Sequence, residues 1–358
     1  MVLGGVMAHA QRARTLDPEN LNALETWLAD QINAGELKLG PAKLLSGGAI
    51  SENWRLGAEV KDGPRAGKHN WVLRTDAPSG VALSHQKNQE YVCLEAAYQT
   101  GVAVPEPIAQ SADKGLIGAP FMITGFASGI AQARKIVRDP EISNFGEALA
   151  ERLGAELARI HMIRPPRPKF EFLGPPPDSP ALAQVETMRY HLDNDISQAH
   201  PALEYVLAWL ASNAPETDAI VLCHSDYRTG NYMVDQGELT AILDWEFAHW
   251  GDRHEDIGWF CARCWRFGAD QREAGGIAGR EAFYRGYDAV SEKPIEANIV
   301  PYWEILAAAR WANVALMQGE RHASSKEESL ELILTGLMAP EMEFDALRDI
   351  AALEQART

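Results

Sequence analysis

Cysteine is scarce in this sequence, with four among 358 residues: Cys93, Cys223, Cys261 and Cys264. Four thiols cannot staple a chain of this length, so a disulfide scaffold is excluded and a reducing, cytoplasmic setting is expected. Long apolar runs are absent too. No stretch approaches the roughly 20 residues that a spanning helix needs, so no membrane segment is expected. Positive charge is in short supply, 33 Lys and Arg against 50 Asp and Glu, for a formal charge of -17. Such a surface repels nucleic acid and anionic lipid at long range, and neither is expected as a partner. An anionic nucleotide is not excluded, because a local cation or a bound metal reverses the field inside a pocket. No internal repeat is present. The opening "MVLGGVMAHAQRARTL" lacks a basic start and reads as a ragged tail, not as a signal peptide. A homo-oligomer stays open.

What is present is ordinary globular material, 46% hydrophobic and 23% charged. The length suffices for one large mixed domain or two lobes. Asp17-Pro18-Glu19 before "NLNALETWLADQI" reads as a capped helix, with Leu21, Leu24, Trp27, Leu28 and Ile32 on one stripe. "AKLLSGGAISENWRLGAEV" and "HNWVLRTDAP" read as strands of a hairpin joined by the polar "KDGPRAGK". A helix is expected over about 86–100, and "GAPFMITGF" is a third apolar strand. Beyond it the chain turns helical. "NFGEALAERLGAELARIHMI" carries an apolar stripe through Leu149, Leu153, Leu157 and Ile160, and helices are expected near 202–210, 279–290, 301–318 and 326–337. The proline-rich 164–180 segment reads as an ordered surface connection or a flexible lid. The fold class is therefore α+β, with boundaries at 1–126 and 127–358. The first part is a helical extension plus a small antiparallel-sheet lobe, the second a larger, mainly helical lobe. Two such lobes leave a cleft, a common place for ligands.

"LCHSDYRTGNYMVDQGELTAILDWEFAHWGD" concentrates the chemistry. "NYMV" and "LTAILD" read as two strands around a turn at Gln236 and Gly237, which sets Asn231 within a residue or two of Asp244 at the open end. Asp226 precedes that end by five residues. Turn capping is the bland reading for any one of these groups. Together they suit Mg²⁺, a hard ion that takes oxygen ligands at about 2.1 Å and keeps waters and phosphate oxygens as well. Asn231 and Asp244 would ligate the ion, and Asp226 would orient a hydroxyl and accept its proton. Cys261 and Cys264 form a CxxC inside "DIGWFCARCWRFG". Buried thiols are the plainer reading. Zinc use, with His249 and His254 nearby, needs a closed four-ligand set that this spacing does not clearly offer.

His224-Ser225-Asp226, then Asn231, then Asp244-Trp245-Glu246 resembles the motif of the aminoglycoside phosphotransferase and choline kinase superfamily. The likeness is strongest to the kinase-like domain subgroup of acyl-CoA dehydrogenase fusion proteins, over roughly residues 41 to 320. The usual form reads HGDxxxxN, so Ser225 replaces a glycine. The resemblance implies a bilobal protein-kinase-like fold and transfer of the terminal phosphoryl group of ATP, or GTP, to a small-molecule hydroxyl with Mg²⁺. "LSGGAISENW" resembles the family's glycine-rich hairpin, where Gly47, Gly48, Ser51 and Asn53 would meet the triphosphate. It is not a Walker A loop. Arg74 in "WVLRTD" matches the strand cation that pairs with the phosphates and stabilises charge during transfer. Glu90 matches the helix glutamate that orients it, with Glu95 as the fallback. Backbone groups around Thr124 to Phe126 would bind the purine edge. Asp256 would fix the catalytic loop, and His224 would brace it. Asp252 would cap the next helix or approach substrate. Trp245 and Glu246 would line the acceptor pocket, with packing under the hairpin as the other reading of Trp245. Arg263, Trp265, Arg266, Tyr284, Tyr287 and Trp311 would build the rest of that pocket. An acceptor with anionic and apolar portions, a sugar and an amino alcohol all stay open. The rival readings are a nucleotide-binding regulatory protein without chemistry, a protein kinase and an interaction module.

Overall fold

The computed structural model describes residues 16, 18–45, 51–76, 84–324 and 329–357. They divide into two compact units. Unit 1 holds the chain up to Tyr98, Pro105–Ala127 and Trp245–Phe247, and unit 2 holds Gln99–Val104, Ser128–Asp244 and the chain from Ala248 on.

Unit 1 runs α1 (Pro18–Gln31), β1 (Leu37–Leu39), β2 (Lys43–Leu44), β3 (Ser51–Val60), β4 (Gly67–Asp76), most of α2 (Lys87–Gln99), β5 (Pro107–Ser111) and β6 (Phe121–Gly125). The strands form one antiparallel sheet in the order β1-β3-β4-β6-β5, with β2 on the flank of β3. Alternation along β3 drives the arrangement. Trp54, Leu56, Ala58 and Val60 turn to the core while Arg55, Gly57 and Glu59 face water, as a half-buried strand demands. Trp71 and Leu73 of β4 and Phe121 and Ile123 of β6 join that core, and Leu24, Leu28 and Ile32 of α1 close it. The opposite face of the β3–β4 hairpin is left for polar side chains. Asn53 stands directly across from Arg74, and Ser51 across from Asp76.

Unit 2 begins with α3 (Ala133–Arg138), α4 (Pro140–Ser143), α5 (Gly146–Ile160), α6 (Pro180–Asn194) and α7 (Pro201–Ser212). Two short antiparallel ribbons follow, from β7 (Ile220–Cys223), β8 (Tyr232–Asp235), β9 (Glu238–Ile242) and β10 (His249–Asp252), with β7 paired to β10 and β8 to β9. Helices α8 (Arg253–Cys261), α9 (Arg280–Asp288), α10 (Val300–Ala323), α11 (Leu330–Gly336) and α12 (Ala339–Arg357) complete it. The β8–β9 turn has φ 51° at Gln236 and 86° at Gly237, the positive pair that a two-residue hairpin requires. Helix α8 is buried along its whole length, and its N-terminus is capped by Asp252, whose carboxylate accepts from the His254 N–H at 2.8 Å. Helix α10 runs through the main helical core, where Trp303, Ile305, Leu306 and Ala312 pack with α6, α7 and α12.

The α+β class, a small antiparallel sheet unit and a larger helical unit, is the one expected from the sequence. Of the proline-rich alternatives, the connection is the one observed. Pro168–Leu173 forms a 3₁₀ turn and buries Phe170, whose ring lies 5.4 Å from that of Trp250. The short strands β1, β7 and β10 and the helix α12 went unread. Gly47, Gly48 and the opening tail lie outside the described residues.

Candidate active site

The loop from His224 to Asn231 links β7 to β8, and its shape is imposed from below by α8. Asp256, fully buried in the first turn of that helix, accepts the His224 N–H on Oδ2 and the Ser225 N–H on Oδ1, both at 2.7 Å. The same Oδ2 meets His161 Nε2 at 3.2 Å. Burial alone raises a carboxyl's pKa, but the hydrogen bonds from His161 and from the His224 backbone outweigh it and hold Asp256 below the ordinary value. His224 Nε2 donates to the Leu243 carbonyl at 2.8 Å, so Nδ1 is the acceptor and takes the Asp226 N–H at 3.3 Å. Both ring nitrogens therefore brace the loop.

Asp226 is held from three sides. Its Oδ1 accepts from Arg228 Nε at 2.9 Å and from the indole N–H of Trp259 at 3.0 Å. Asn231 Nδ2 donates to its Oδ2 and, at 2.9 Å, to its carbonyl oxygen. Arg228 also stacks on the Trp265 ring at 4.4 Å, and Arg310 on Trp259 at 4.6 Å. Trp265 in turn lies 5.3 Å from Trp259 and 4.8 Å from Trp311. An aromatic and cationic wall thus stands behind the carboxylate.

The β8–β9 ribbon delivers the other two groups. Tyr232 pairs with Ile242, and one step beyond, the Leu243 N–H donates to the Asn231 carbonyl at 2.8 Å. Asp244 follows immediately, with φ 61°. Aspartate is among the few non-glycine residues that adopt this left-handed turn. Asn231 uses Nδ2 on Asp226, which turns Oδ1 the other way as an oxygen donor. With the Asp244 carboxylate this gives two hard oxygen donors, the chemistry that fits Mg²⁺.

Unit 1 holds a second charged cluster. Arg74 Nη1 donates to Glu90 Oε1 at 2.7 Å, and Lys87 Nζ to Glu90 Oε2 at 2.6 Å. Glu246 Oε2 lies 3.7 Å from the same ammonium. Glu90 and Lys87 are 0% and 1% exposed, so Glu90 is the partner of Arg74, and Glu95 is not needed as the alternative. Ser51 is buried and Asn53 half-buried on the Arg74 face of the hairpin. Thr124 is buried in β6. The Gly125 and Phe126 N–H groups donate to the Glu106 and Asn70 carbonyls at 2.8 and 3.0 Å, so these two donors are engaged within unit 1. The Phe126 ring is open, with Arg55 stacked 4.5 Å above it.

Three assignments to the acceptor pocket are corrected. Arg266 is 6% exposed, and its guanidinium serves the Cys261 carbonyl and Glu304. Tyr287 is fully buried with its hydroxyl 2.9 Å from His161 Nδ1. Glu246 is buried beside Lys87. Trp245 is fully buried, in keeping with the packing reading. Arg263 pairs with Asp270 at 2.7 Å, and Tyr284 is half-buried in α9. Sequence reasoning missed Trp259, Arg228 and Lys87. The signal for Trp259 was available, since it follows Asp256 by three residues and so shares its helix face.

A kinase-like fold carrying a braced Asp226, Asn231 beside it and a left-handed Asp244 defines the class of a phosphotransferase. The phosphotransferase enzyme family model (APH) matches residues 41–292. The chain belongs to that family, within the aminoglycoside phosphotransferase and choline kinase superfamily, whose typical activity is ATP- and Mg-dependent phosphoryl transfer to small molecules. It is similar to acyl-CoA dehydrogenase family member 10 of Mus musculus, 29% identical over 199 residues, 53% of this chain and 18% of that protein. Member 11 of Gallus gallus is also 29% identical, over 201 residues, 54% of this chain and 25% of that protein. The chain thus spans no more than about a quarter of the length of these curated relatives. A proposed aminoglycoside phosphotransferase of Ralstonia eutropha shares the fold, with TM-score 0.72 and 22% identity over 92% of this chain and 97% of that one. Among the described residues no helix is long and apolar enough to cross a membrane.

Proposed function

We propose that this chain transfers the terminal phosphoryl group of ATP to the hydroxyl of a small molecule with an anionic and an apolar portion. The observation that carries the reading is the Asp226 carboxylate, held by Arg228, Trp259 and Asn231 on a loop clamped by Asp256. A carboxylate fixed this way orients an attacking hydroxyl and takes its proton as the bond to phosphorus forms. Asn231 Oδ1 and Asp244 hold Mg²⁺, which when bound neutralises charge on the phosphate oxygens. Arg74, oriented by Glu90, takes the phosphates, with Gly47, Gly48, Ser51 and Asn53 beside them. Thr124 and Phe126 adjoin the base. ATP is the expected donor, and GTP is the alternative tested alongside it.

The acceptor is the finer question. Half-buried Arg228, Arg310 and Trp311, backed by the buried Trp259 and Trp265, offer cations and an apolar edge, not the acidic cage of a polycation binder. The likeness to acyl-CoA dehydrogenase family members 10 and 11 supports a hydroxyacyl thioester. The test is nucleotide consumption against separate pools of hydroxyacyl-CoA compounds, sugars, amino alcohols and aminoglycosides. ADP release dependent on the hydroxyacyl pool supports the reading. Release only with aminoglycosides or amino alcohols overturns the acceptor class.

A further inference from the structure

Away from the oxygen donors of the loop, three groups of unlike softness converge within unit 2. Cys223 ends β7, His249 begins β10 directly opposite it, and Glu255 sits in the first turn of α8. Their donor atoms, Sγ, Nε2 and Oε2, all lie within 4.8 Å of one another. Among the described residues no other group of three or more His, Cys, Asp and Glu donors comes so close. The space at their centre is reserved by a glycine. A Cβ on Gly251 would stand 2.8 Å from Cys223 Sγ and 3.1 Å from both Glu255 Oε2 and His249 Nε2. Any other residue at 251 would fill a point nearly equidistant from the three donors.

The hydrogen bonding at that point conflicts with itself. His249 Nε2 lies 2.9 Å from the Gln184 Nε2 amide and 3.1 Å from Glu255 Oε2. One imidazole nitrogen cannot accept from the amide and donate to the carboxylate at once. Turning the Gln184 amide over removes that clash and sets Gln184 Oε1 beside Glu255 Oε2 at the same nitrogen, with Cys223 Sγ, which donates to the Asp252 carbonyl at 3.3 Å, within 4.8 Å of it. A cation at the centre satisfies all four together. Tetrahedral zinc, with bonds of about 2.0–2.3 Å, separates its donors by roughly 3.3–3.8 Å, against 3.1 Å between His249 Nε2 and Glu255 Oε2 and at most 4.8 Å across the three donors.

We propose that Cys223, His249 and Glu255 bind a borderline-soft divalent cation of the zinc class, with Gln184 Oε1 as the fourth donor. Binding forms the sulfur–metal bond and releases the thiol proton to solvent. Four protein donors and two buried ligands make the site closed and structural. It ties β7, β10 and α8 together one residue before the catalytic loop. It differs in ligand type from the oxygen donors Asn231 and Asp244, and the CxxC cysteines take no part in it.

Untagged full-length protein, stripped with a chelator, is titrated with Co²⁺ in the presence of excess Mg²⁺. One Co²⁺ per chain is expected, with a near-ultraviolet thiolate-to-metal band that Zn²⁺ displaces. Cys223→Ser should abolish the band and Cys261→Ser should keep it. His249→Gln and Glu255→Gln should weaken binding by more than about tenfold, the loss already common for an outer-shell partner. Circular dichroism checks the fold of each variant. Should Cys223→Ser not fold, the half-buried His249→Gln and the wild-type band carry the decision. Absence of the band in wild type, or its survival in folded Cys223→Ser, overturns the proposal. The readout needs no turnover, so it stands or falls apart from the kinase reading.

Discussion

Ser225 occupies a left-handed backbone position, φ 67°, between the loop-bracing His224 and Asp226. Its Cβ costs roughly 1–2 kcal/mol there, and its buried hydroxyl finds no hydrogen-bond partner among the described residues. Glycine removes both penalties at the expense of some chain entropy. Ser225→Gly is expected to stabilise the protein by about 1 kcal/mol, read as a higher denaturation midpoint with turnover preserved. An unchanged or lower midpoint would show that the hydroxyl or the Cβ matters in a way the hydrogen bonds do not reveal. Trp259→Phe keeps the ring and deletes one donor to Asp226. It should lower kcat about tenfold with little change in KM, since one positioning hydrogen bond contributes about 1.5 kcal/mol to a charged acceptor. A change in KM alone would place Trp259 in binding, away from the carboxylate. At this scale the sequence was legible in the spacing that sets Asn231 against Asp226 and brings Asp244 to the open end of the same ribbon. It was opaque where long side chains chose between partners. Arg266 and Tyr287 looked like pocket residues from composition, yet each found a buried acceptor in its own unit.

Among the elements, α8 does most to position the loop, and its support depends on charge. His161, the C-cap residue that ends α5, faces Asp256, Tyr287, Arg253 and His254. Burial, the largest influence, holds it below the ordinary histidine value of 6.5 despite Asp256. The unfolded chain therefore binds the extra proton first. Stability from a neutral His161 is complete above about 6.5 and is lost as pH falls through that value toward the lower folded one. Denaturation midpoints should decline on acidification from pH 7 to 5, and His161→Gln should flatten that decline. An equal slope in the variant would assign the dependence elsewhere. In unit 1 the buried cluster of Lys87, Arg74 and Glu90 makes a sharper case. Glu90→Gln leaves two cations facing a neutral amide, and removing one partner of a buried pair typically costs about 3–5 kcal/mol. The variant should unfold at markedly lower denaturant, while Glu95→Gln should not. The hairpins and amphipathic helices were legible because their periods of two and 3.6 are written in the apolar residues. Strands β7 and β10 were not, because they are short, buried and without alternation, and Lys87 looked like a solvated helix start.

For the whole molecule, two units of different construction supply different chemistry. Unit 1 carries the cationic cluster and the polar face of the β3–β4 hairpin, and unit 2 carries the braced carboxylate and the oxygen donors. The chain's excess of negative charge leaves these few cations as the local means of meeting a nucleotide. The fold class could be read from the order of strands and helices. The acceptor could not, because the residues proposed to face it, Arg228, Arg310 and Trp311, are scattered along the chain and meet only in space. The most direct measurement is acceptor-dependent ADP formation by the full chain and by Asp226→Asn, with nucleotide binding measured in parallel. Turnover in the variant should fall at least about 100-fold while nucleotide affinity and folding hold. Turnover near the parent's in a folded, nucleotide-binding Asp226→Asn protein would contradict the account.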